Sequence, residues 1–314
     1  MTPDPKNLSP ELRAIDSQAS VLMKRGISLL AVTQSNSTVE ALALFDSALE
    51  LRRRLPIETV PQFGYGLAAC WLNRAEALMQ LREANADHIR AVLRAYDEAI
   101  LLLRKLPLDE DMRFPRRLAI AYQNLGLTLQ TENRSDIAEV SATYLEAIAV
   151  LDHDQSAPIP DRRYLLGTVW LNLANAYVSV PDAKFVTMAQ NAARCAISLV
   201  SDLEVSNVGA AEVGLKARHV LCQTLALLLS QAIMNGEANL DSVHEATDAA
   251  DDGLDLARHW EEKGVVCFRN MACDLFGFGA RVYATFQPQF LDEFVRDSLD
   301  LVQSSPKYAT WLYR

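Results

Sequence analysis

Disulfide and zinc frameworks are missing from this 314-residue chain: its five cysteines, Cys70, Cys195, Cys222, Cys267 and Cys273, form no CxxC pair and no metal-ligand spacing. An odd number of thiols on apolar helix faces reads as reduced side chains packed in a core, and points to the cytoplasm. Strand signals are scarce too, with no sustained period-two alternation. Even the apolar run Leu225–Leu229 is far short of a membrane span. The N-terminal Met1-Thr2-Pro3-Asp4-Pro5 carries no basic-then-apolar signal. Positive charge is in deficit, 30 Lys and Arg against 40 Asp and Glu, for a net charge of -10. That balance argues against nucleic acid and against an anionic membrane surface as partners, since both need a basic face.

Catalytic motifs are absent as well. There is no phosphate loop, no Gly-x-Ser-x-Gly and no dinucleotide fingerprint. His244-Glu245 begins like a zinc helix, but Asp248 stands where the second histidine would be needed. No metal and no cofactor are expected.

What the chain does have is a 50% hydrophobic content and few glycines, 12 in all, which suits long helices. It also has a repeat. Tyr122-Gln123-Asn124-Leu125-Gly126 has relatives centred on Lys24, Asn73, Asn172, Cys222 and Asn270, and the successive spacings are 49, 51, 48, 50 and 48. The firmest correspondence runs residue for residue between Phe45–Pro56 and Tyr96–Pro107, 51 apart. Six copies of one pattern make this a repeat protein, in which each unit touches only its neighbours.

Taken in order, residues 1–8 read as a flexible lead-in and 9–303 as a single helical repeat domain. Ser9-Pro10-Glu11 is a helix start, with serine as cap and proline in the first turn. The first helix is expected to end near Thr33, with turn chemistry over Gln34–Thr38 and a second helix running to about Arg54. Residues 304–314 form an aromatic tail containing Tyr308, Trp311 and Tyr313. Two uses fit that tail: capping the last repeat, or docking on a second copy to make a homo-oligomer.

Paired helices must approach closely. Gly26, Ala75, Gly126, Ala174 and Ala272 permit this on the first helix of each pair, and Ala48, Ala99, Ala147, Ala196 and Gly253 on the second. Trp71, Tyr122, Trp170 and Phe268 are expected to fill the space left over.

In these features the chain resembles the tetratricopeptide repeat family. Trp170-x2-Leu173-Ala174-x2-Tyr177 and Tyr122-x2-Leu125-Gly126 follow its first-helix pattern, and Ala41-x3-Phe45-x2-Ala48 its second. The resemblance covers nearly the whole chain and implies an all-α, right-handed α-solenoid of about six antiparallel helix pairs. Two departures stand out. The period exceeds the family's usual value of about 34. Arg74 occupies a position where the family has leucine, so a carboxylate is needed nearby.

The resemblance further implies a concave groove lined by the first helices, with Lys24, Asn73, Asn124, Asn172, Cys222 and Asn270 as its rungs. Asn175 stands one turn on from Asn172, beside Glu76, Leu127, Leu225 and Cys273 at the same level. A side-chain amide both donates and accepts, so a ladder of them can hold a peptide backbone. Each bond is worth only about 0.5–1.5 kcal/mol net, so four rungs alone give at best roughly micromolar affinity and side-chain pockets have to add the rest. The same asparagines could instead hold neighbouring repeats in register.

The function that follows is a non-enzymatic adaptor binding a peptide or partner protein in the groove. The alternative is a structural subunit of an assembly, acting through its outer faces or its tail. A third reading, a thiol-dependent enzyme or redox sensor, rests on His219 and Cys222 sharing a helix face. Glu245, Asp248, Asp252 and Asp255 form an acidic stripe that reads as solvated surface. Arg52, Arg53, Arg54, Arg104 and Lys105 sit at helix C-termini, where the dipole favours cations, and are given no functional role.

Overall fold

A computed structural model describes residues 9–32, 35–81, 86–131, 136–153, 159–235, 239–303 and 305. The flexible lead-in expected at 1–8 and the aromatic residues of the expected tail, 308–314, lie outside the described residues. Among the described residues there are twelve helices and no strand. They are α1 (Pro10–Leu30), α2 (Ser35–Arg52), α3 (Pro61–Leu81), α4 (Ala86–Arg104), α5 (Arg113–Thr131) and α6 (Ile137–His153). The second half comprises α7 (Ile159–Val178), α8 (Ala183–Val200), α9 (Val208–Asn235), α10 (Leu240–Glu262), α11 (Arg269–Phe286) and α12 (Pro288–Gln303). The fold is an all-α solenoid of helix pairs, the six repeats supplying α1/α2 to α11/α12 in turn. No helix among the described residues is long and apolar enough to cross a membrane.

The chain divides into two compact units. Unit 1 contains α1–α5 and α6 from Leu145 onward, and unit 2 contains α6 up to Tyr144 and α7–α12. In unit 1 each helix from α1 to α5 packs on the next, and α1 also meets α3. In unit 2 the same rule holds from α7 to α12, and α9 additionally touches α7 and α11.

Local chemistry explains the helix ends. Ser9 caps α1, its hydroxyl accepting from the Leu12 backbone N–H at 3.3 Å, with Pro10 in the first turn. Of the expected turn, residues 35–38 belong instead to α2, which begins at Ser35, while α1 stops at Leu30; Thr33 and Gln34 lie outside the described residues. Thr38 is buried in the first turns of α2 rather than looped out. The residue-for-residue repeat produces matching turns. Leu55 and Leu106 are both buried just past a helix end, and each backbone N–H returns to the carbonyl three residues back at 3.1 Å.

Small residues sit where the pairs touch. Ala48, Ala75, Ala99, Ala147, Ala174, Ala196 and Ala272 are all fully buried. Gly26 lies under the Phe45 ring, and a Cβ there would stand 2.5 Å from Phe45 Cε1. The large partners differ from expectation. Tyr122 and Phe268 are buried, but Trp71 and Trp170 stay partly exposed. The space is filled instead from the second helices, by Phe45, Tyr96 and Tyr144. Truncating such a ring to alanine typically costs about 3–5 kcal/mol.

Each unit also buries an arginine. In unit 1, Arg52 pairs with Asp16 at 2.9 Å and donates to Ser20 Oγ at 3.0 Å. In unit 2, Arg218 and Glu204 make a bidentate pair at 2.7 and 3.1 Å, with side chains only 8% and 6% exposed. Trp260 Nε1 donates to the Glu204 carbonyl at 2.8 Å and ties the α8–α9 connection to α10.

The thiols are packed, as expected, with one exception. Cys70, Cys222 and Cys273 are buried, Cys195 is half-buried and Cys267 is exposed. Burial pushes the Cys70 thiol up to about 11, with Arg52 pulling the other way. Burial pushes Cys222 up to about 12. Its sulfur faces the Ala246 carbonyl at 3.8 Å, and His219 rests against the Phe278 ring at 5.7 Å. A nucleophilic His219–Cys222 pair is therefore not built here, because a desolvated thiol holds its proton.

Two outcomes follow. Arg218→Met alone should lower unfolding free energy by about 3–5 kcal/mol, because it strands a buried carboxylate. Adding Glu204→Gln should restore much of that loss, and urea denaturation followed by circular dichroism reads both steps. In native protein at pH 8, iodoacetamide should modify Cys267 first and leave Cys70 and Cys222 unmodified until the chain unfolds. Peptide mass mapping reads this; rapid native labelling of Cys222 would contradict the buried thiol.

Candidate functional site

The expected ladder residues fall on the odd-numbered helices, three rungs in unit 1 and four residues in unit 2. In unit 1, Lys24 is exposed on α1, and Asn73 is half-buried on α3. The Asn73 side-chain amide donates to the Ala69 carbonyl at 2.8 Å, one turn back on its own helix. Asn124 is half-buried on α5, and no described residue hydrogen bonds to its side chain. In unit 2, Asn172 and Asn175 lie on one face of α7, half-buried and exposed, again with side-chain amides unbonded to any described residue.

Two rungs depart from the expectation. Asn270, exposed near the start of α11, accepts from Ser305 Oγ at 2.9 Å, so here the amide holds the chain that follows α12. Cys222, expected to line the groove, is 2% exposed and packed toward α10. Its repeat position is that of the other rungs, but α9 turns this side chain into the core.

Three clefts lie between successive even-numbered helices where they straddle an odd one. In unit 1 a cleft of about 720 Å³ lies between α2 and α4 above α3. Trp71 and Arg74 of α3 form its floor, Arg53 comes from the end of α2, and Arg90 and Arg94 come from α4. The Arg53 and Arg74 guanidiniums lie 5.4 and 5.8 Å from the Trp71 ring centroid. The carboxylate that Arg74 requires is Asp46, at 2.7 Å across to α2, which leaves the arginine 23% exposed. Glu50 on α2 pairs with Arg53 in the turn that follows, and Asp87 pairs with Arg90 within α4.

In unit 2 the corresponding cleft between α10 and α12 above α11 has a volume of about 470 Å³ and the opposite character. Asp248, Asp251, Asp255, Glu293 and Asp297 line it against Arg258 alone. Tyr283 donates to Asp251 Oδ2 at 2.7 Å. Burial and the neighbouring aspartates push Asp251 above the usual carboxylate range, while that hydrogen bond pulls it back. A third cleft of about 460 Å³ lies between α8 and α10 above α9. There Glu245 leaves the expected acidic stripe to clamp Arg194 of α8, at 2.6 and 2.8 Å.

The cleft arginines had a trace in the sequence. Arg90 and Arg94 are one turn apart, and Arg74 breaks the family's apolar pattern. Nothing in the sequence brings them to Arg53, because that juxtaposition depends on how α2 and α4 lean over α3. Among the described residues no cluster of His, Cys, Asp and Glu is arranged to hold a metal ion.

No protein-family model and no curated protein matches the sequence. Solved structures do. The S. pombe nuclear import adaptor Nro1 aligns with a TM-score of 0.61 at 15% identity, over 96% of this chain and 99% of that one. A second crystal form of Nro1 gives 0.59 at 16% identity, over 98% and 97%. BtubC from P. vanneervenii aligns with a TM-score of 0.54 at 16% identity, over 83% of this chain and 89% of that one. At such identities the likeness is one of fold, and the chain shares the all-helical fold of these proteins over most of its length.

Proposed function

We propose that this chain is a non-enzymatic protein-interaction adaptor, built on a long-period variant of the tetratricopeptide repeat and acting in the cytoplasm. The observation that carries the reading is the state of Asn124, Asn172 and Asn175. Each is accessible on an odd-numbered helix, and each has a side-chain amide that no described residue engages. Free amides at these positions supply the donor and acceptor that an incoming peptide group needs. The shared fold with a nuclear import adaptor is consistent with this use of the scaffold.

The energetics ask for more than amides. One amide in unit 1 or two in unit 2, at about 0.5–1.5 kcal/mol for each hydrogen bond, fall short of the roughly 8 kcal/mol of a micromolar complex. Apolar contact has to add the rest. Leu127, three residues beyond Asn124 on α5, is 46% exposed and offers such a surface beside a free amide. Lys24 adds a positive charge on α1 of the same unit.

The test is a paired affinity purification from the native cell, with wild type and an Asn124→Ala/Asn172→Ala variant as baits. The variant should keep its helicity and melting temperature, since both side chains are partly exposed and no described residue hydrogen bonds to them. Partner recovery should fall by about tenfold, the equivalent of roughly 1.4 kcal/mol of lost hydrogen bonding. Equal recovery of the same partners by both baits would show that the amides do not bind them.

A further inference from the structure

We propose that the cleft between α2 and α4 of unit 1 is a second docking site, and that it takes a short acidic segment of a partner protein. It opens over the even-numbered helices and uses none of the asparagines above, so it goes beyond the adaptor reading and does not depend on it.

The argument starts from Trp71. An indole left partly exposed in a concave cleft is an apolar floor, and here two guanidiniums are held over it. Arg74 is fixed by its cross-helix bond to Asp46 and by the ring, at 5.8 Å. Arg53 is held by the ring at 5.4 Å and by Glu50 three residues earlier, yet remains 49% exposed. Cation–π contact of this kind aims a guanidinium without using its N–H donors, which stay available for a planar carboxylate.

The α4 side adds two more cations. Arg90 is paired with Asp87 in its own helix turn, both side chains largely exposed. Arg94 is exposed and has no ion-pair partner among the described residues. Exposed pairs within one helix are weak, so a ligand carboxylate can replace Glu50 or Asp87 at little cost. Four guanidiniums then face the cleft in a chain whose net charge is -10.

Dimension and sign select the occupant. The lining residues run from Asp46 to Arg53, just past the end of α2, and from Asp87 to Arg94 on α4, seven residue steps each or roughly 10 Å at helical rise. That length matches about three residues of extended chain. The cleft therefore suits two or three Asp or Glu side chains, with intervening apolar groups against Trp71. A nucleic acid is disfavoured. Asp46, Glu50 and Asp87 remain in the lining, and the surrounding net negative charge repels a continuous phosphate backbone.

The test is fluorescence anisotropy at low salt with the full chain and three labelled probes. These are a hexapeptide of alternating Asp and Glu, the same peptide with Asn and Gln, and a twelve-nucleotide oligo(dT). The acidic peptide should bind at least tenfold more tightly than its amide counterpart, and salt should weaken it. Arg90→Glu/Arg94→Glu, at two exposed positions where helicity should be retained, should weaken it at least tenfold. Trp71→Leu should weaken it severalfold. The proposal is overturned if the acidic peptide does not bind, if the amide peptide binds equally well, or if charge reversal changes nothing. Tighter binding of oligo(dT), lost on charge reversal, would also overturn it in favour of a nucleic-acid site. The Asn124→Ala/Asn172→Ala variant should bind the acidic peptide like wild type, so the two readings fail independently.

Discussion

A bulky apolar side chain seated on a residue that has none is the contact that sets how closely several of these helices approach. Gly26 accepts Phe45 between α1 and α2, Gly253 accepts Leu275 between α10 and α11, and Gly279 accepts Phe294 between α11 and α12. A Cβ at Gly253 would stand 2.5 Å from Leu275 Cδ1, closer than real Cβ atoms come to their neighbours. The helices thus approach until the large side chain meets backbone, and that depth sets the packing of everything along the pair. A chain with only 12 glycines has spent several of them at such contacts, where alanine would push the helices apart.

The same device admits the buried charges. A side chain at Gly66 would collide with the Arg52 guanidinium, and one at Gly214 would collide with the Glu204 carboxylate. Each unit therefore carries an arginine–carboxylate pair in a space that a glycine leaves open. Such a pair contributes little net stability, because desolvation offsets much of the attraction. Its effect is on geometry. Arg52 reaches from the end of α2 to Asp16 on α1, and Arg218 on α9 holds the connection carrying Glu204. A helix slipped by one turn would strand both charges, so the pairs penalise wrong registers far more than they favour the right one.

This explains what was legible beforehand and what was not. The repeat was legible because Phe45–Pro56 and Tyr96–Pro107 align position by position and share the same Asp-x-Ala start and Leu-Pro end, which build matching turns. The small-residue positions were legible for the same reason. The identity of the large partner was not: Trp71 and Trp170 look like core residues in the repeat pattern, but the space is already filled by Phe45, Tyr96 and Tyr144. Cys222 failed as a rung because a repeat position specifies a turn of helix and not its rotation about the axis. The unit 1 cleft was the least visible feature. Its residues come from three helices, and Arg53, Trp71 and Arg94 meet only through the tilt of α2 and α4.

Scaffold and recognition are thus carried by different residues. The buried glycines, alanines and rings hold the pairs together and leave the side chains over α3 and α11 free to differ. In unit 1 that freedom produces guanidiniums around an indole. In unit 2 the corresponding position carries Asp248, Asp255, Glu293 and Asp297 around Arg258. Exchanging the exposed charges of one set for those of the other would leave the buried glycine, alanine and ring contacts in place. Two proteins can therefore share this architecture along their whole length while few residues match, and still recognise partners of opposite charge. On the reading proposed above, a partner's chemistry is written in the handful of side chains facing each cleft, because the buried glycines, alanines and rings set the helix packing beneath them.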